Sequence, residues 1–210
     1  MKLYDSRTSP NPRRVRIFLA EKGIDVEKIA VNLAEREQLT PAYRAINPRC
    51  VVPTLVLDDG TALGEAPVIC RYLEDIRPEP PLFGRTPLER AMVAMWERRM
   101  EQEGLFPAME LLRNANPALK DRAITGPRNY AQIAELAERA RARLDDFFAD
   151  LDAQLAGTPF VAGEAFSCAD ITAVVAIDFT AKRSGVAMPE GLPALARWYA
   201  AVSARPSMSA

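Results

Sequence analysis

The chain contains no histidine among its 210 residues. That absence removes Ser-His-Asp and Cys-His nucleophilic catalysis, together with every histidine-ligated metal site, so no metal is expected. Cysteine is nearly as scarce: Cys50, Cys70 and Cys168 lie far apart and form no C-x-x-C, so neither a zinc site nor a disulfide framework is indicated. An odd number of cysteines, with Met1 leading directly into a strand pattern, is expected of a reducing compartment, and the cytoplasm is the expected location. No apolar run approaches the roughly 20 residues needed to span a bilayer, so no membrane partner is expected. An excess of charge of one sign is also missing. The formal net charge is −1, which argues against a nucleic-acid partner. Arg13, Arg14 and Arg16 are grouped, and this grouping reads as the solvated face of a helix rather than a phosphate site. There is no internal repeat and no low-complexity tract.

What is present is ordinary globular material. Hydrophobic residues make up 49% and charged residues 26% of a length that accommodates one large or two modest domains. The informative stretch is Leu3 to Gly23, LYDSRTSPNPRRVRIFLAEKG. It predicts a short strand, a polar turn with Ser6, Thr8, Ser9 and Asn11, and a helix opened by Pro10 and Pro12 and closed by Gly23. Such a turn sits at a helix N-terminus, where unpaired N–H groups and the macrodipole favour a thiolate or carboxylate.

Further along, Ile29, Val31 and Leu33 alternate with polar neighbours and predict a second strand. Thr40-Pro41 predicts the start of a short helix ending before Asn47-Pro48. The segment VVPTLVLDDGTAL predicts a hairpin, with Asp59-Gly60 as the turn between Thr54–Leu57 and Thr61–Leu63. Pro53 at the strand entry is a candidate cis bond. A helix from Glu65 to Asp75 is expected to bury Val68, Ile69, Tyr72 and Leu73. The run Arg77-Pro78-Glu79-Pro80-Pro81 then reads as a linker. Beyond it the pattern is helical. Thr86 and Glu89 form a capping box ahead of Leu88, Met92, Met95 and Trp96, which share one face and read as core or interface. Gly104 and Pro107 are expected to bend or interrupt that helix. A second long helix is expected from Arg128 to Gln154. Ser167 and Asp170 form another box at the head of an apolar helix through Phe179, and Pro193 opens a last helix containing Trp198.

Four segments now stand in order: LYDSRTSPNPRRVRIFLAEKGI, INPRCVVPTLVLDDGTAL, EAPVICRYLED and FSCAD. On these the chain resembles the cytosolic glutathione S-transferase superfamily, and its opening is similar to that of serine-type bacterial members of the nu-like subgroup. The resemblance covers nearly the whole chain. It implies an α/β N-terminal thioredoxin-like domain followed by an all-α C-terminal helical domain, with residues 1–76 binding glutathione, 77–86 as linker and 87–210 as the substrate-binding domain. It also implies a homodimer.

The resemblance further implies that Ser9 faces the glutathione sulfur, with Asn11 as a second contact and Thr8 as the near competitor of Ser9. The backbone of Val52, ahead of Pro53, would pair with the cysteinyl part of glutathione as an added strand does. Glu65 and Ala66 would hold its γ-glutamyl end. Two places depart from the family pattern: Ala66 stands where a serine is usual, and Cys50-Val51 replace a glycine and a frequent lysine. The implied activity is transfer of the glutathione thiol to a hydrophobic electrophile, with glutathione as co-substrate. The alternatives are a glutathione-dependent disulfide or peroxide reductase, and a non-catalytic binding module with the same fold. Taken alone, Ser9 is a turn or cap residue, Pro53 a strand-entry proline and Glu65 a helix-start acid.

Overall fold

Four short strands, β1 (Lys2–Asp5), β2 (Glu27–Ala30), β3 (Thr54–Val56) and β4 (Ala62–Gly64), form one sheet of order β2-β1-β3-β4. β1 runs parallel to β2 and antiparallel to β3, and β3 runs antiparallel to β4. Period-two alternation in β1 sends Leu3 and Asp5 to one side and Tyr4 to the other. Leu3 pairs with Leu55, and both are fully buried. Around them lie Val15, Phe18 and Leu19 of α1 (Pro10–Lys22), and Ile69 and Leu73 of α3 (Ala66–Ile76). Each buried Leu or Phe contributes roughly 1.5–3 kcal/mol. Tyr4 packs instead against Val31, Tyr43 and Val52, with Tyr43 carried by α2 (Pro41–Ile46).

The computed structural model describes all 210 residues. They fall into two units, one of Met1–Pro80, Thr125–Arg128 and Ser209–Ala210, the other of Pro81–Ile124 and Asn129–Met208. The glutathione S-transferase architecture expected from the sequence, a small mixed sheet with helices followed by helices alone, is the one found.

Several local expectations change. β2 ends at Ala30, before Leu33, and the Val31 N–H makes the last bond of its parallel ladder, to the Asp5 carbonyl at 2.7 Å. Val68 is exposed, since the buried stripe of α3 is Ala66, Ile69, Cys70 and Leu73, and a residue two positions from Ala66 points to the opposite side. Arg14 and Arg16 are not a solvated face. Arg14 is 2% and Arg16 7% exposed. Arg16 makes a buried ion pair with Asp5 at the end of β1, which ties the strand to the helix that follows the turn. Lys22, in the last turn of α1, is buried, and its ammonium meets Glu74 and the carbonyls of Pro78 and Pro80.

In the second unit the Thr86–Glu89 box opens α4 (Pro87–Arg99) as expected. The helix widens into a π turn over Met100–Leu105 and continues as α5 (Phe106–Ala115). Gly104 lies in that turn because a Cβ there would come within 2.7 Å of the Phe147 ring. Leu88, Met92 and Met95 are exposed, and α4 buries Val93 and Glu97 instead. α6 runs Ala134–Gly157, starting later than expected. Gln132 donates to the carbonyls of Arg113 and Asn116, and the Ile133 N–H donates to Asn114 Oδ1, so the preceding residues are held against the end of α5.

α7 (Cys168–Phe179) is buried on every side, and α8 (Pro193–Ser203) carries Trp198 onto it. Asp170, fully buried, accepts from the N–H groups of Val161 and Ser167, from Ser167 Oγ and from Trp198 Nε1, at 2.8–3.0 Å. Burial pushes its carboxyl above the ordinary range, and the four donated bonds work in the other direction. None of the three cysteines forms a disulfide, and each is buried.

Candidate active site

The turn between β1 and α1 carries the residues singled out for chemistry. Ser9 is the N-cap of α1 in an extended conformation, and its hydroxyl makes no capping bond. An N-cap serine ordinarily accepts from the helix's first N–H groups. Here the helix begins Pro10-Asn11-Pro12, and proline carries no N–H. The first turn therefore offers fewer donors than a helix usually does, which leaves the serine hydroxyl uncommitted. It also reduces the backbone contribution to anion binding expected from the sequence, and shifts the work towards side chains. No acidic residue sits in that first turn to oppose an anion.

Ser9 is half-buried and Thr8 exposed. Thr8 Oγ1 lies 3.4 Å from Ser6 Oγ, so Thr8 has a local partner where Ser9 has none of that kind. Asn11, also half-buried, accepts through Oδ1 from Arg14 NH1 at 3.0 Å.

The second wall is the loop before β3. The Val52–Pro53 bond is cis, as anticipated. None of the chain's loop and turn hydrogen bonds uses the Val52 backbone, so its N–H and C=O can accept an added strand. The loop is held from beneath. Tyr43 donates to the Val51 carbonyl at 2.7 Å and lies 3.1 Å from Thr54 Oγ1, while Asn47 Nδ2 donates to Thr54 Oγ1 at 2.9 Å. Burial pushes the Tyr43 phenol above its ordinary value, with the Thr54 hydrogen bond opposing. Cys50, in place of the family's glycine, adopts a left-handed φ of 54°. Its side chain is buried, which offsets part of the strain that only glycine avoids.

The third group lies where β4 meets α3. Glu65 precedes the helix at φ 63°, ψ 118°, a strained region for a residue with a side chain. Its side chain is exposed and makes no capping bond. Ala66 follows, 1% exposed, and Pro67 removes an N–H from the same helix start. Ser9, Asn11, Val52, Pro53, Glu65 and Ala66 all belong to the first unit. Three of its groups escape a sequence reading. The Arg14 contact needs the coordinates, and the left-handed backbones of Cys50 and Glu65 carry no glycine to announce them.

Residues 8–76 match the family described as glutathione S-transferase, N-terminal domain, and residues 134–201 match glutathione S-transferase, C-terminal domain. Glutathione S-transferase 2 of Saccharomyces cerevisiae is 36% identical over 211 residues, 99% of this chain and 88% of the yeast protein. A solved glutathione S-transferase domain-containing protein from Marinobacter aquaeolei VT8 superposes with a TM-score of 0.91 at 36% identity, covering 99% of this chain and 100% of that one. Maleylacetoacetate isomerase of Pseudomonas aeruginosa is 45% identical over 93 residues, 43% of this chain and 44% of the isomerase. With both domain families matched in order and a full-length relative beyond a third identical, the chain belongs to the glutathione S-transferases, enzymes that use glutathione as co-substrate.

Proposed function

We propose that this enzyme ionises the thiol of glutathione at Ser9 and directs the sulfur onto a hydrophobic electrophile. The observation that carries this reading is the Ser9 hydroxyl, placed at a helix start and not engaged in capping it. A free thiol of pKa about 8.5 is only a few per cent thiolate at neutral pH. Lowering that value by about two units takes roughly 2.7 kcal/mol. One hydrogen bond to a charged group contributes about 1.5–3 kcal/mol and the helix dipole about 0.3–1. Ser9 and Asn11 together cover the requirement without a general base, which fits a chain lacking histidine.

In the reaction the thiol proton passes to water. The sulfur lone pair then forms the new C–S bond, and the leaving group departs with the electrons of the bond that breaks. Thr8 borders the sulfur site, Val52 and Pro53 receive the cysteinyl backbone, and Glu65 and Ala66 hold the γ-glutamyl end. The same thiolate adds to an activated double bond and can be expelled after rotation, and the partial likeness to maleylacetoacetate isomerase supports testing such alkenes. Disulfide or peroxide reduction is the alternative. The protein's own thiols are all buried, so both electrons would come from two glutathione molecules. A fold that binds without catalysing stays distinct from both by showing no turnover with any partner.

The experiment is conjugation of a chloronitrobenzene, with titration of the bound thiol, in wild type and Ser9→Ala. The variant is expected to lose about 10- to 100-fold in kcat/KM, the rate equivalent of one such hydrogen bond. An active wild type with Ser9→Ala unchanged rejects the role of Ser9. We also assign the exposed stripe Leu88, Met92 and Met95 to a homodimer contact. Sedimentation at the mass of one chain would refute that assignment. The cytoplasm remains the proposed location; no helix is long and apolar enough to cross a membrane.

A further inference from the structure

The Asn11 amide can present either its oxygen or its NH2 to the sulfur site, and only the second stabilises a thiolate. We infer that Arg14 decides between them: it is a positioning residue that locks Asn11 with its NH2 available to the glutathione sulfur. The inference rests on the proposed transferase reading and deepens it.

A guanidinium has donors and no acceptor, so the amide atom that faces it at 3.0 Å has to be oxygen. The amide is planar, and fixing Oδ1 on Arg14 leaves both Nδ2 hydrogens on the other side. Arg14 is one turn further along α1 and 2% exposed, so its guanidinium is held out of water. A hydrogen bond accepted from a cation also polarises the amide and strengthens its NH2 as a donor. This matters more here than in most helices, because Pro10 and Pro12 have removed two backbone donors from the same turn. Without Arg14 the amide is free to flip, and an oxygen facing the sulfur would raise the thiol pKa.

The test is a double-mutant cycle read on the pKa of bound glutathione by thiolate absorbance, with kcat/KM alongside. Arg14→Met is expected to raise the thiol pKa by about one unit, a tenfold loss of thiolate, and Arg14→Lys to restore part of it. In an Asn11→Ala background Arg14→Met is expected to add nothing. Equal effects of Arg14→Met in the two backgrounds would overturn the inference, since Arg14 would then act independently of Asn11.

Should Arg14→Met fail to fold, Asn11→Asp carries the same question. Its carboxylate still accepts from Arg14 but has no hydrogens for the sulfur. It is expected to raise the thiol pKa by at least about one unit with the melting temperature maintained, and an unchanged thiol pKa would overturn the inference. A wild type whose bound glutathione titrates near the free value of about 8.5 defeats the transferase reading itself. A depressed wild-type value with no dependence on Arg14 defeats only the lock.

Discussion

Two helices of this protein begin with serine at the N-cap, and the two hydroxyls have opposite fates. Ser167, at the head of α7, is 3% exposed, and both its N–H and its Oγ donate to Asp170, whose carboxylate also takes Val161 and Trp198. Ser9, at the head of α1, is half-buried and makes no capping bond. The first serine is committed to holding a buried helix in place; the second makes no capping bond, and Pro12 has removed one of the two N–H groups that an N-cap serine ordinarily caps. A hydroxyl becomes available for chemistry when the local sequence gives it nothing structural to do.

The largest way to break this comparison is Asp170→Ala. It strands four buried donors, each costing about 1–3 kcal/mol when unpaired, and the expected loss exceeds about 4 kcal/mol. Thermal unfolding should then fall by roughly 10 °C or more. A loss below about 2 kcal/mol in denaturant titration would show that the network is not the structural anchor of α7. Next comes Ser167→Ala, expected to cost about 1 kcal/mol with catalysis per folded molecule intact.

Tyr43 is another committed hydroxyl, and its test uses pH. Burial raises its folded pKa above the unfolded value of 10.0, so the folded state keeps the proton longer. Its stabilisation is complete below about pH 10 and is lost as pH rises through the folded pKa. Tyr43→Phe is expected to cost about 1 kcal/mol at neutral pH and to flatten that alkaline decline. An identical decline in the variant would rule Tyr43 out as its source. The smallest expected effect is on the stability of Ser9→Ala, within about 0.5 kcal/mol of wild type, although its conjugation rate is expected to fall. A loss near 1 kcal/mol would mean that Ser9 caps α1 after all.

Much of the fold was legible because it rests on local signals. Gly23 ends α1 in the left-handed conformation, Asp59-Gly60 turns the hairpin, the Thr86 and Ser167 boxes open their helices, and Pro193 opens α8. These are properties of a few neighbouring residues, so periodicity and capping rules reach them. What escaped depends on partners distant in sequence. Arg16 is buried because Asp5 waits at the end of a strand, and α6 starts late because Asn114 and Gln132 bind the chain ahead of it. The site divides in the same way. The Ser9 turn, the cis proline and Glu65 follow from short motifs. The left-handed Cys50 and the Arg14–Asn11 hydrogen bond do not, because arginine next to a polar turn looks the same in sequence whether it faces water or an amide.

The burial of all three cysteines bears on how such an enzyme survives its own work. Under the proposed transfer, a catalyst that gathers alkylating compounds next to a sulfur nucleophile risks being alkylated itself. Here Cys50, Cys70 and Cys168 are each 2% exposed, and there is no imidazole to modify. In the proposed reaction the reactive sulfur is one the protein borrows and then discards with the product, so the damage leaves with it.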